Sequence, residues 1–206
     1  MDGAASNGHL NAVKWLHAHR DEGCTTDAMD SEAANGHLKV VQWLHRNRSE
    51  GCTKKAMDSA AENGHLEVVQ WMHWNRSEGC TTSAMNGAAS KRFGHPAVVR
   101  WLRSNRSEGC TTNAMDGAAA NGNLQMMQWL HENSVVGCSS AAMDSAADLG
   151  RLDILEWLHV KQLAECTTLA MDSAAANGHL QVLKWLHANQ SDGHTTKAIK
   201  DAAAGG

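Results

Sequence analysis

The stretch NGHLEVVQWMHWN, residues 63–75, sets two histidines and two tryptophans close together. In other settings that combination ligates a metal, relays protons or stacks on a flat ligand. The spacing argues against a metal. His65 and His73 lie eight residues apart, roughly 12 Å along a helix, and the i, i+4 pairing of a zinc-binding helix is missing. The pair in HAH, residues 17–19, is locally dense but lacks the further ligands of a closed site. The six cysteines, at 24, 52, 80, 110, 138 and 166, invite a redox reading, because a thiol just before a helix N-terminus has a lowered pKa if it is exposed.

These residues recur, and the recurrence decides how to read them. Trp occurs at 15, 43, 71, 101, 129, 157 and 185, a step of 28 residues broken by one step of 30. Met1, Met29, Met57, Met85, Met115, Met143 and Met171 keep the same rule, with Ile199 in the eighth slot. A feature repeated seven times along a chain is structural before it is catalytic, and a period of 20 to 50 residues marks a solenoid or array. The cysteines fall in one equivalent slot, so neighbours stand about 10 Å apart in a regular stack. A disulfide needs Cα atoms within about 7 Å. Free thiols packed as small apolar groups are therefore expected.

Each unit predicts two helices. In CTKKAMDSAAENGHLEVVQWMHWNRSEG, residues 52–79, Thr53 or Lys54 opens the first helix and Gly64 ends it as a C-cap glycine does. The second runs from about His65 to Asn75. Met57, Ala60 and Ala61 share one face of the first helix, opposite Lys55, Ser59 and Glu62. In the second, Leu66, Val68, Val69, Trp71 and Met72 cover an arc of about 220°, which requires packing on both sides. The Trp ladder then seals one repeat against the next. His73 and its equivalents sit near a helix end, where a partial positive charge suits the dipole.

Comparing the units shows which slots vary. Two before the Met stand Asp27, Lys55, Ser83, Asn113, Ala141, Leu169 and Lys197; five after it stand Ser6, Ala34, Glu62, Ser90, Ala120, Asp148 and Ala176. Both slots lie on the outward face of the first helix. The Trp, the Ala four after the Met and the Gly before the second helix do not vary.

The pattern A-M-D-x-A-A-x-N-G-H-L-x-V-V-x-W-L-H resembles the core of the ankyrin repeat, in which T-P-L-H-x-A-A is followed by G-H-x-x-V-V-x-L-L-L. The likeness covers nearly the whole chain and is greatest to short, tryptophan-containing ankyrin-like repeats. It implies antiparallel helix pairs stacked into a curved array, non-enzymatic protein binding, and a concave surface lined by the first helices. The chain departs from the family in lacking the Thr-Pro start and in a unit about five residues shorter than the usual 33. The finger-like hairpin is reduced to loops such as NRSEGCT, which moves expected partner contacts onto the helices.

Composition agrees with an all-α chain. There is one Pro, one Phe and no Tyr, and no alternating β-branched runs. Lys plus Arg number 18 against 22 Asp plus Glu, a net charge of -4, which speaks against nucleic acid and anionic membranes as partners. No signal-peptide-like or membrane-spanning segment is present, and an intracellular, cytoplasmic location is expected.

The sequence therefore predicts an all-α ankyrin-like solenoid over residues 1–206: seven helix pairs and a terminal helix in TTKAIKDAAAG, a protein-binding scaffold with no enzymatic activity, cofactor or metal. The candidate partner-binding residues start with the acidic slot after the Met: Asp30, Asp58, Asp116, Asp144 and Asp172, with Asp2 before them and Asn86 and Lys200 as exceptions. Lys55 and Glu62 join them from the variable slots. Trp74 is an exposed indole on the polar side of its helix, and Phe93 sits in the insertion SKRFGHP, a loop that must bulge outward before Pro96. Val135, Val136, Leu163 and Ala164 are expected to form an apolar patch. A self-associating structural segment of a larger repeat protein is the alternative function, and metal or redox binding through the His and Cys ladders a further one.

Overall fold

The computed structural model describes Gly3 and residues 7–20, 23–134 and 136–189. Among them are thirteen helices and no strand. In chain order they are α1 (Leu10–His19), α2 (Thr26–Ala34), α3 (Leu38–Asn47), α4 (Lys54–Glu62), α5 (Leu66–Asn75), α6 (Thr82–Ser90), α7 (Pro96–Asn105), α8 (Thr112–Ala120), α9 (Leu124–Asn133), α10 (Ser140–Asp148), α11 (Leu152–Val160), α12 (Thr168–Ala176) and α13 (Leu180–Asn189). The expected terminal helix, with Ile199 and Lys200, lies outside the described residues, as do Met1, Asp2, Ser6 and Val135.

The even-numbered helices are the first helices of each unit and the odd-numbered ones the second. Thr53 opens α4 in extended conformation, and its hydroxyl accepts from the Lys55 amide at 3.2 Å. Such a cap stabilises a helix by about 1 kcal/mol. Asn63 ends α4, and Gly64 follows at φ +82°. A Cβ at Gly64 would be strained and would lie 2.4 Å from His95 Nδ1 of the next unit. The same glycine slot is left-handed in every described unit.

The described residues form two compact units, one up to Ala89 with His95–Cys110, the other Ser90–Gly94 with the residues from Thr111 on. In the first, α2 and α4 pack side by side, α2 packs against α3 and α4 against α5. Met57, Ala56, Ala60 and Ala61 of α4 are buried with Val68, Val69 and Met72 of α5. Alanine at three of these slots lets first helices approach closely, and the longer Met and Val side chains fill the space between the layers. The second unit repeats the plan with α8, α10 and α12 side by side, burying Met115, Met143 and Met171 with Ile154, Leu155 and Leu158. The chain is thus an all-α repeat solenoid in its local architecture.

Candidate functional site

The acidic ladder has an internal use. In the first unit Asp58 Oδ1 accepts from the Thr81 amide at 2.7 Å, and Oδ2 from the Thr81 hydroxyl at 2.8 Å. Asp30 holds Thr53 in the same way at 2.8 and 2.5 Å. The second unit repeats the clamp, Asp116 on Ser139 and Asp144 on Thr167. Each of these carboxylates therefore grips the N-cap residue of the following repeat, and that hydroxyl in turn caps its own helix. Asp30 and Asp172 are buried. The ladder reads first as a bracket between repeats.

Lys55 and Glu62 are exposed on the outer side of α4. Glu62 also packs on the next unit, where a Cβ at Gly87 would come within 2.8 Å of its Cβ. Glycine in the middle of α6 costs helix stability by about 1 kcal/mol relative to alanine, and here it makes room for that side chain. Trp74 is 73% and Phe93 80% exposed. The Arg92 guanidinium lies over the Phe93 ring at 5.5 Å. Pro96 begins α7, as the first turn of a helix allows. Trp74 belongs to the first unit and Phe93 to the second.

The histidines and tryptophans make a ladder of contacts between successive repeats. His17, His45 and His73 set their rings edge-on to Trp43, Trp71 and Trp101 at 5.2, 5.2 and 5.1 Å. In the second unit His131 meets Trp157 and His159 meets Trp185. The expected dipole role is thus joined by a more specific one, contact with the next repeat. The Trp rings are half-buried seams; Trp15, whose ring stacks on His19 of its own helix at 4.4 Å, remains 57% exposed.

Sequence reasoning passed over two features. In the first unit the R-S-E loops form a bracket: Arg48, Arg76 and Arg106 pair with Glu50, Glu78 and Glu108, while a second arm of each guanidinium reaches His17, His45 or His73 at 3.2–3.3 Å. Arginine donates there, so the imidazole nitrogen accepts. The hydrogen bond from Arg48 holds Glu50 down to about 2, and that from Arg106 does the same for Glu108. The signal was the threefold R-S-E itself. The other feature is Glu32, which is fully buried, accepts from the Gly8 amide at 3.2 Å and pairs with His37 Nδ1 at 3.0 Å. Its slot holds alanine in the other described units, so the exception was visible in the repeats.

Cys52, Cys80 and Cys138 do not show the lowered pKa that an exposed cysteine before a helix would have. Burial pushes Cys52, Cys80 and Cys138 up to about 11. Cys52 and Cys80 are buried and the other four cysteines half-buried. Among the described residues no three His, Cys, Asp or Glu side chains gather where one metal ion could bind. Of the expected apolar loop patch, Val136, Leu163 and Ala164 are half-buried, and the Leu163 amide donates to the Leu158 carbonyl at 3.1 Å. No described helix is long and apolar enough to cross a membrane.

Comparison with curated proteins gives no match. Among solved structures, the ankyrin repeat domain of human ASB11 is similar over 80% of this chain and 84% of that one, with a TM-score of 0.57 and 14% identity, a likeness of fold alone. The family model "Ankyrin repeats (many copies)" matches residues 29–73, 87–131 and 143–187, more than half of the sequence. Its three segments each run from the core Met slot, or just past it, to the seam histidine slot, the span over which paired helices, left-handed glycine and inter-repeat ring contact recur; this chain belongs to the ankyrin-repeat family.

Proposed function

We propose that the protein is a non-enzymatic protein-interaction scaffold that binds a partner across the outward faces of its first helices. Ankyrin repeats are in general protein–protein interaction modules. The observation that supports this reading is the split between slots. The buried Met slot of the first helices and the Ala slots just before it and four after it hold the same residue in every described repeat, while exposed positions of the first helices change: Asp27, Lys55 and Ser83 in the first unit, Asn113, Ala141 and Leu169 in the second. A surface free to vary over a fixed frame is how a repeat scaffold acquires specificity. The acidic ladder adds negative potential to the face even while it clamps the stack.

The partner is to be captured from native extract by the full chain and identified by mass. Lys55→Glu and Leu169→Asp, which change exposed side chains and keep the backbone amides that donate to the clamp hydroxyls, are expected to weaken capture at least tenfold with helicity unchanged. If both variants capture as well as the parent while Trp74→Ala or Phe93→Ala abolishes it, the first-helix face is not the binding surface.

A further inference from the structure

The second helices carry a charge pattern that the reading above does not use. The second, fifth and ninth residues of each fall within an arc of about 60°, opposite the buried stripe. In the first unit the charged residues on this arc are Lys14, Lys39, Arg46 and Arg100 against Glu67 alone; in the second they are Glu132, Asp153 and Glu156 against Lys184. Asp153 also holds Arg151. One unit of a chain with net charge -4 thus presents a basic outer face.

Trp74 stands on that same arc, in the slot that Arg46 fills one repeat earlier. Its ring meets His73 edge-on at 4.5 Å. His73 is itself fixed, against Trp101 at 5.1 Å and by Arg106 at 3.3 Å. A large exposed indole on an immobilised base loses little freedom when it is covered, which is the property of an interface anchor.

We infer that the outer face of the first unit's second helices docks an acidic protein segment that places one apolar side chain against Trp74. Charge complementarity selects the partner's sign, and the single indole selects one anchor. Nucleic acid fits less well: four cations spread over three helices neutralise few phosphates, and the neighbouring indoles Trp43, Trp71 and Trp101 are half-buried with histidine edges against them, so no run of rings is open for stacking bases.

The test uses the full chain and a fluorescent peptide of about twelve Asp, Glu and Ser residues with one central Leu, long enough when extended to cross three repeats. Anisotropy is expected to show binding that weakens about tenfold or more with Trp74→Ala, with Arg46→Glu plus Arg100→Glu, and on replacing the Leu by Ser. Binding should also weaken as salt is raised. Lys55→Glu, on the first helices, should leave it unchanged, so this result and the capture experiment fail independently. The inference is overturned if the acidic peptide does not bind, if a Lys-for-Glu peptide binds equally, or if an oligothymidylate of equal length binds more tightly. Light scattering that shows self-association abolished by the same variants would overturn it in favour of a second copy as the occupant.

Discussion

Two kinds of carboxylate in the first unit respond to acid in opposite directions. Burial raises the pKa of Glu32, against the opposing effects of the Gly8 amide and His37. Its contribution to stability is therefore fully present below the ordinary value of 4.5 and is lost as pH rises through the raised one. Glu32→Gln keeps an acceptor for Gly8 but cannot ionise, so its urea midpoint is expected to gain on the parent between about pH 4 and pH 7. A gap that is equal at the two pH values would contradict this account. Glu108, held at about 2 by Arg106, contributes stability above 4.5 that is lost as pH falls towards 2. Glu108→Gln should then fall behind the parent near neutrality and approach it in acid, the reverse slope. The thiols yield a further expectation. With pKa near 11, Cys52 and Cys80 carry little thiolate at neutral pH, so mass spectrometry should find them alkylated slowly in the native chain and rapidly in urea; fast native labelling would mean that the loops open often.

At the scale of elements the clamp between repeats is the most testable device. Asp58→Ala leaves the Thr81 amide without its acceptor and is expected to cost about 1–3 kcal/mol, whereas Asp58→Asn retains one acceptor and should cost less. A cycle with Thr81→Ala should give a coupling of about 0.5–3 kcal/mol. Additive effects would mean the contacts contribute nothing jointly. The helices themselves were legible from the residues: the cap at Thr53, the stop at Gly64, the buried faces of α4 and α5 and their boundaries within about one residue all follow from local propensity and period. The clamp was not. Asp58 and Thr81 are 23 residues apart, each has a sufficient local role as a helix-dipole partner or cap, and nothing in a single repeat says that the two meet. The same holds for the site: exposure of Lys55 and Trp74 could be read from slot polarity and that of Phe93 from the insertion that carries it, but not the half-burial of Leu163, which turns on where α11 ends.

At the scale of the whole molecule the open matter is continuity, and we propose that residues 1–206 form one repeat array. The 28-residue step resumes after the insertion at 91–93, with Trp101 and Trp129 back in phase. Where the other units mostly have an asparagine, as at Asn63, Asn121 and Asn177, this one has Lys91-Arg92-Phe93 before Gly94. The asparagine side chain ties its unit to the preceding one: Asn63 reaches the Ala34 carbonyl at 2.9 Å and Asn121 the carbonyl of Ser90. Replacing Lys91-Arg92-Phe93 by a single Asn restores the period, removes an exposed ring and supplies an amide where none stands. If the insertion is a tolerated loop in a continuous array, the shortened chain should unfold in one urea transition with a midpoint equal to or above the parent's, because a shorter loop closes at slightly lower entropic cost. Partner capture should then survive. Retained stability with lost capture would instead assign the Phe93 loop to binding, and separate transitions for probes on either side of it would rule out the single array.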